Sequence, residues 1–315
     1  LFPGNTAFIY HFTLLGFPGL HPQYYGPVSA VMFFVYLVIG FGNIFILVFV
    51  MCEKKIQKST YLIFCHIVLS DLTFGTVTLP KIIAQYWFGT MFFVHYLGSV
   101  QSFNLMVMAL DRFISICLPM RYPVLISNTV VSVLCGISWF IPLPIMITVV
   151  MQTVFLPFCK SNVIAQCYCD RMSIISKTCA ENILSLNMTA LSLAMFCILL
   201  PQAFILFSYT SVIVVILKMT HAKGRRKTFS TCTSQILFTC FYLPRCILYL
   251  SNFKDFSFSL DFRILLITLL PAAVNPVIYC FKTQDIKKSL FMKLHRATVS
   301  IEHKGFTMNK VIRLG

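Results

Sequence analysis

Charged residues are scarce in this sequence, and acidic residues are the scarcest. Only 11% of the 315 residues are charged, with 25 Lys plus Arg against 9 Asp plus Glu. Because soluble domains contain about 25% charged residues, this composition excludes that class. The chain also lacks HExxH and GxSxG sequences, and its apolar blocks contain no paired acids. We therefore expect a protein that is not an enzyme.

Basic residues are absent from residues 1–25 and concentrate in alternate connections between apolar blocks. The formal charge of +16 would suit a nucleic-acid partner. However, an excess of Lys and Arg in alternate connections is typical of the cytoplasmic loops of membrane proteins. The pattern predicts an extracellular amino terminus, a cytoplasmic carboxyl terminus and no nucleic-acid partner.

Long apolar blocks make up most of the chain, and 58% of its residues are hydrophobic. A block of about 20 apolar residues predicts a membrane-spanning helix. The chain has seven such blocks, at about 26–51, 61–88, 90–117, 130–151, 185–217, 229–252 and 262–281. The predicted fold is therefore all-α, a seven-transmembrane helix bundle. Prolines inside spans four to seven predict bends in those helices.

The same pattern divides the chain into an extracellular segment at 1–25, a membrane domain at 26–281 and a cytoplasmic tail at 282–315. One helical face of the tail carries its apolar residues, Ile286, Leu290, Phe291 and Leu294. Because lysines lie elsewhere on that helix, the tail is predicted to form a short amphipathic helix on the inner leaflet after span seven. A solvated basic tail is the alternative.

Three polar residues lie deep in apolar spans: Asn43, Asp71 and Asn275. Such groups are costly in hydrocarbon unless they meet one another or water. They predict either a hydrated, sodium-binding network that rearranges between two states or a hydrogen-bonded cluster that only joins helices. A transporter or channel is the rival class, but it would favour an inverted repeat and several midplane charges, which the sequence does not show.

The stretch MALDRFISIC at 108–117 ends span three with an acid and a base, Asp111 and Arg112. A charged pair at the end of an apolar helix must lie at a water boundary or face a protein interior. Simple snorkelling of the side chain to the interface is the alternative.

Four cysteines occupy the connection at 152–184, namely Cys159, Cys167, Cys169 and Cys179. An extracellular connection is oxidising, so disulfides are the first interpretation. The loop contains no histidine, which argues against a zinc site. We expect neither a metal nor a cofactor.

The motifs of the chain, taken in order, resemble those of the odorant receptors, a branch of the rhodopsin-like G-protein-coupled receptors. They are GN at 42–43, LSDL at 69–72, MALDRFISIC at 108–117, SYTSVI at 208–213, KTFSTCTSQ at 227–235, FYLP at 241–244 and PAAVNPVIY at 271–279. The resemblance implies a plasma-membrane receptor for a small odorant, which activates a stimulatory, olfactory-type G protein and raises cyclic AMP. It implies that Asp111 and Arg112 form the G-protein switch and that Tyr209 and Tyr279 stabilise the active state.

The default ligand pocket lies between the outer halves of spans three, five, six and seven. In span three one face carries His95, Ser99 and Ser102, and in span six the helical spacing aligns Tyr242, Arg245, Cys246 and Tyr249. Arg245 suggests an anionic ligand group such as a carboxylate. Snorkelling of Arg245 to the outer interface is the alternative.

The chain departs from the family at the connection of spans two and three, which is short. No cysteine lies between Cys65 and Cys117, although the family has one at the outer start of span three. The family's bond to the long loop cannot form, and the resemblance leaves Cys159 and Cys179 to pair with each other. A non-functional receptor relic is therefore an alternative.

Two further departures affect the switch. Gln101 stands where many relatives have an acid facing Asp71, so it joins the polar network and weakens any sodium site. No Asp or Glu occurs between Lys218 and Phe253. Arg112 therefore has no ionic lock with span six, and the resemblance then predicts easier activation, with hydroxyls such as that of Thr228 holding Arg112 instead.

Overall fold

The computed structural model describes residues 13–14, 21–52, 59–81, 87–159, 163–164, 171–180, 183–218, 272–276 and 292. This part of the chain is almost wholly helical. Its helices are α1 (Tyr25–Cys52), α2 (Ser59–Lys81), α3 (Trp87–Cys117), α4 (Tyr122–Leu125), α5 (Asn128–Phe140), α6 (Pro142–Val154), α7 (Arg171–Ile175) and α8 (Ile183–Lys218). A 3-10 turn at Pro22–Tyr24 precedes α1. Two short strands, β1 (Thr13–Leu14) and β2 (Val163–Ile164), pair in parallel.

Five helical stretches among these residues are long and apolar enough to cross a membrane. They are Tyr25–Cys52, Ser59–Val77, Met91–Cys117, Asn128–Val154 and Ser185–Lys218. They coincide with the first five spans expected from the sequence. The expected sixth span, most of the seventh and the tail helix lie outside the described residues. Large apolar side chains such as Phe33, Phe34 and Phe41 are exposed on α1, as expected of a surface that contacts lipid.

Two span boundaries differ from the sequence expectation. The expected second span runs to residue 88, which is wrong, because α2 ends at Lys81 and α3 already begins at Trp87. The fourth span runs continuously from α5 into α6 through Ile141, whose backbone is helical, but its hydrogen-bond ladder is interrupted there because Pro142 and the proline two residues later have no N–H to donate to the preceding turn.

α3 lies at the centre of the described bundle. It contacts α2, α4, α5, α6 and α8, whereas α1 packs mainly on α2. The main core brings together residues from five helices, among them Ile46, Ile63, Met108, Cys135 and Tyr209. Polar residues on α3 are therefore surrounded by neighbouring helices, and this is what positions the candidate site.

A compact loop joins α6 to α8. Cys159 and Cys179 are linked by a disulfide with their Cα atoms 6.0 Å apart, and a backbone bridge pairs Phe158 with Thr178 beside it. Cys167 and Cys169 lie outside the described residues. Ile174 and Ile175 of α7 pack in one cluster with Met91 near the start of α3, so the loop lies over that end of the bundle.

Candidate functional site

Asp111 is held near the carboxyl end of α3 by two neighbouring segments. Its side chain is only 1% exposed. The Tyr122 hydroxyl in α4 donates to Oδ1 at 2.9 Å, and the Thr60 hydroxyl in α2 donates to Oδ2 at 3.2 Å. A buried carboxylate is stable only when its oxygens accept hydrogen bonds, so these two donors fix its place.

Tyr122 remains a donor over the physiological range. Partial burial raises the pKa of the Tyr122 phenol above its ordinary value, and the negative charge of Asp111 raises that pKa further. The Thr60 hydrogen bond and the Arg112 charge act in the opposite direction. The phenol therefore stays protonated wherever an ordinary tyrosine does.

Arg112 is paired with Asp111 only loosely. Its Nε lies 3.9 Å from Asp111 Oδ2, within ion-pair range but beyond hydrogen-bond length, and its side chain is 18% exposed. Among the described residues, Arg112 Nε has no hydrogen-bond partner, so little there holds the guanidinium in place. Asp111 is fixed by neutral donors, whereas Arg112 is left to move.

α8 is joined to α3 directly before this pair. The Ser208 hydroxyl donates to the Ala109 carbonyl at 2.8 Å, and the adjacent Tyr209 is buried in the main core. A displacement of α8 would therefore move the backbone of α3 at Ala109, two residues before Asp111. Tyr279, the other expected switch tyrosine, lies outside the described residues.

Three of the four residues of the expected polar network are hydrogen-bonded to one another in the interior, and the fourth, Asn43, donates to a backbone carbonyl near them. Asn43 Nδ2 donates to the Ala272 carbonyl at 3.1 Å, which joins α1 to the helical residues 272–276. Asp71 accepts from both remaining members: Gln101 Nε2 donates to Oδ1 at 2.6 Å, and Asn275 Nδ2 donates to Oδ2. One carboxylate therefore links α2, α3 and residues 272–276.

Two amide donors take up part of the capacity of Asp71 to hold a sodium ion. A cation needs oxygen lone pairs, yet both oxygens of Asp71 already accept amide hydrogens from Gln101 and Asn275. The side-chain oxygens of Asn43 and Asn275 are buried without a hydrogen-bond partner in the described structure. These oxygens could accept hydrogen bonds from water, as a hydrated network requires, and they are also the type of oxygen that a cation takes.

The expected ligand face of α3 is partly buried against α8. His95 is half-buried, and Ser99 and Ser102 are buried. The Ser99 and Ser102 hydroxyls donate to carbonyls one turn earlier in their own helix, at 2.8 and 3.0 Å. Toward a ligand, these hydroxyls can therefore offer only lone pairs. The span-six candidates Tyr242, Arg245, Cys246 and Tyr249 lie outside the described residues.

Sequence reasoning missed Thr60, Tyr122 and Cys197. Thr60 and Tyr122 supply both donors to Asp111, and the buried Cys197 of α8 lies near Ser99. Thr60 and Tyr122 could have been sought from the sequence, because a buried acid at the end of a helix requires hydrogen-bond donors at the same depth in neighbouring segments. No comparable signal marks Cys197, because helix periodicity does not say which helices are neighbours.

Comparison with known proteins gives a consistent result. A family model described as "Olfactory receptor" matches residues 32–296. Olfactory receptor 51E2 from Homo sapiens is 32% identical, over 88% of this chain and 90% of its own length. Olfactory receptor 52N5 from Homo sapiens is 32% identical over 89% and 91%, and olfactory receptor 2AT4 from Homo sapiens is 29% identical over 89% and 91%.

Proposed function

The chain belongs to the olfactory receptor family, and on that premise we propose that it binds a small odorant within its helix bundle, activates a stimulatory, olfactory-type G protein and raises cyclic AMP. The family is one of G-protein-coupled membrane receptors for small molecules and not of enzymes. A multi-pass protein of the plasma membrane agrees with the five apolar helices.

The proposed topology has seven spans. Residues 1–25 would lie outside the cell, residues 26–281 would form the membrane domain, and residues 282–315 would form a cytoplasmic tail with a helix on the membrane surface. The alternating basic connections support this orientation. It places Asp111 and Arg112 at the cytoplasmic surface and the loop between α6 and α8 outside.

The observation that carries the proposed function is the unequal anchoring of Asp111 and Arg112. Asp111 accepts two hydrogen bonds from neighbouring segments, whereas the Arg112 Nε lies 3.9 Å from its carboxylate. A two-state switch needs one fixed element and one that changes partners. In the proposal Arg112 is released to meet the G protein, with Tyr209 and Tyr279 stabilising that state.

The proposed ligand site lies between the outer halves of spans three, five, six and seven. His95, Ser99 and Ser102 would line it from α3, and Tyr242, Arg245, Cys246 and Tyr249 from span six. An agonist shifts the equilibrium only by its difference in affinity for the two states. Arg245 would supply that difference for an odorant with a carboxylate group.

The experiment expresses the tagged chain in cells with a cyclic AMP reporter and screens carboxylic acids beside neutral odorants of similar size. We expect acids to raise cyclic AMP, Arg112→Ala to abolish the response at equal surface level, and Arg245→Gln to abolish responses to acids alone. Cells that lack the stimulatory α subunit should give no response. A response that survives in those cells would refute the proposed G-protein class.

The same cells distinguish the two alternatives. A chain that reaches the surface and carries an ion current without any G protein would be a channel. A chain that is detected only after permeabilisation, and is rescued by a longer, cysteine-containing connection inserted after Gly89, would be a receptor relic. Surface labelling of an amino-terminal tag on intact cells also tests the proposed orientation.

A further inference from the structure

Gln202 of α8 carries a buried amide oxygen that has no hydrogen-bond partner in the described structure. The residue is 5% exposed, and its Oε1 is buried without a donor. An unpaired acceptor in an apolar interior costs free energy, because water has been removed from it and no donor has replaced the water. Such an oxygen requires an explanation, and a bound molecule that donates a hydrogen bond provides one.

The Gln202 side chain lies on the face of α8 that points into the bundle. Gln202 is three residues before Ile205 and seven before Tyr209, so the three residues share one helical face. Ile205 and Tyr209 pack in the main core together with Met108 of α3. The amide of Gln202 is therefore directed toward the interior and not toward lipid.

Two contacts set how α8 lies along α3. The Ser208 hydroxyl donates to the Ala109 carbonyl at 2.8 Å, and the buried Cys197 lies near Ser99. The earlier residue of α8 meets the earlier residue of α3, and the later meets the later. The two helices therefore run in the same direction, and the part of α3 that carries Ser99 adjoins α8.

In this register Gln202 lies at the depth of Ser102, about one helical turn deeper than Ser99. Both serines are buried, and their hydroxyls donate to the His95 and Gly98 carbonyls of their own helix. A hydroxyl that has given its hydrogen has only lone pairs left to offer. At neighbouring depths between α3 and α8, the side-chain oxygens of Ser99, Ser102 and Gln202 can therefore all accept.

The surroundings of these oxygens are apolar. Phe103, Met146 and Cys197 pack in one cluster between α3, α6 and α8. The two helices that carry the oxygens contain a single acid, Asp111, which lies about two and a half helical turns beyond Ser102. Neither helix therefore offers an ammonium group a charge partner at this depth, and a buried unpaired charge is costly. A neutral donor, the hydroxyl of an alcohol or a phenol, meets the acceptors without that cost.

We propose that the odorant carries a hydroxyl group, which donates to the oxygens of Ser99, Ser102 and Gln202 between α3 and α8. The inference rests on the proposed function for the presence of a small ligand in the bundle, and it names the polar group by which that ligand is recognised. The hydroxyl satisfies the buried Gln202 oxygen, so its binding gains more than apolar contact provides. An aldehyde or ether oxygen at the same point would place one acceptor against others and is rejected.

The test measures binding to the purified receptor by the shift in its thermal unfolding temperature, without any G protein. Primary alcohols of increasing chain length are each compared with the aldehyde of the same length, which keeps the oxygen and the size, and with their own methyl ether. Hydroxy acids are compared with the corresponding methoxy acids in the same way. We expect the hydroxyl compound to bind roughly tenfold or more tightly than its partners without the donor. Equal affinities in every set, or a panel in which no hydroxyl compound binds, would overturn the proposal.

Variants assign the preference to the named oxygens. Gln202→Met keeps the length of the side chain and removes the amide, so it should lose most of the preference for hydroxyl compounds. Because it removes an unsatisfied oxygen, it should also unfold at a higher temperature than the parent when no ligand is present. Ser99→Ala should weaken the preference. Ser192→Ala is the matched control, since Ser192 of α8 is exposed and likewise donates to a carbonyl of its own helix; it should keep the parental preference.

A hydroxyl preference that survives in Gln202→Met, or a loss of stability in that variant without ligand, would refute the role of Gln202. Cyclic AMP is measured separately in cells. Selective binding of hydroxyl compounds to a chain that never raises cyclic AMP would refute the proposed function and keep this inference. Cyclic AMP responses to acids, with no preference for the hydroxyl member of any set, would keep the proposed function and refute this inference.

Discussion

Gly75 of α2 lies directly against Ile39 of α1. A Cβ atom at position 75 would be 2.7 Å from Ile39 Cγ2, closer than real side chains approach, and Ile39 is itself buried at 1% exposure. By contrast, a Cβ at Gly40 would meet nothing within 4 Å. The close approach of α1 and α2 thus depends on a missing methyl group at one position.

Gly75→Ala should lower the thermal stability of the purified receptor in detergent. Overpacking of this kind costs about 1–3 kcal/mol, and the better helix propensity of Ala recovers at most about 1 kcal/mol of it. Gly40→Ala is the control and should be neutral or stabilising. Adding Ile39→Ala to Gly75→Ala should cost less than the two single changes summed; additive costs would contradict the predicted clash.

Tyr122→Phe should raise cyclic AMP in the absence of any odorant. The change removes one of the two donors that hold Asp111, and a hydrogen bond to a charged group contributes roughly 1.5–3 kcal/mol, so loss of the bond should shift the equilibrium by about tenfold or more. Signal is normalised to surface receptor. Tyr24→Phe, at an exposed position, is the control. If the basal signals of the Tyr122→Phe and Tyr24→Phe variants are equal, the proposed role of Tyr122 in the switch is wrong.

The Tyr122 contact should also be insensitive to pH between 6 and 8. Its pKa is raised in the folded chain, so the stabilisation is complete below the ordinary tyrosine value of about 10 and is lost only as the pH rises through the folded value. The difference in basal signal between Tyr122→Phe and the parent should therefore stay constant over that range. A difference that shrinks toward pH 8 would contradict the assignment.

Gln101→Glu should create sodium dependence that the parent chain lacks. The parent amide donates to Asp71 at 2.6 Å, whereas a second carboxylate there would repel it unless a cation or proton intervenes. Purified protein is unfolded thermally in sodium chloride and in choline chloride of equal ionic strength. The variant should gain several degrees in sodium, as a bound ligand would give, and the parent should not change. A sodium-stabilised parent would be the contrary result.

Asn104→Leu should stabilise the protein. Asn104 in α3 is fully buried, and neither its amide nitrogen nor its oxygen has a hydrogen-bond partner in the described structure. Replacing it with an apolar side chain of similar size relieves about 1–3 kcal/mol of desolvation. The same change at Asn43, which donates to two carbonyls, should destabilise. Destabilisation at both positions would mean that water satisfies Asn104.

The sequence predicted some of these features and missed others for physical reasons. Apolar blocks placed α1, α5, α6 and α8 to within a few residues, because helix length follows from the hydrocarbon thickness. The cost of polar groups in hydrocarbon predicted that Asn43, Asp71 and Asn275 would meet. Asp71 and Asn275 are hydrogen-bonded to each other, whereas Asn43 donates to the backbone carbonyls of Ile39 and Ala272. That rule needs no knowledge of helix order.

The donors Thr60 and Tyr122 could not be predicted because they depend on the order of the helices. Each partner comes from a different segment, and which segments are neighbours depends on the order and rotation of helices in the bundle. Hydrophobic periodicity gives neither. At Ile141 the prolines of the fourth span interrupt the hydrogen-bond ladder while the backbone stays helical, which the sequence could not foretell because a proline removes a donor without fixing the local geometry.

The central place of α3 also bears on how the chain is made. Synthesis proceeds from the amino terminus, so α3 reaches the membrane before α5, α6 and α8 exist. Two of its buried polar residues, Gln101 and Asp111, are hydrogen-bonded to residues of α2, namely Asp71 and Thr60. Helix α2 is already present when α3 is made. The first three helices can thus pack together during translation. Asn275 is synthesised much later, and it then donates to the Asp71 carboxylate that is already in place.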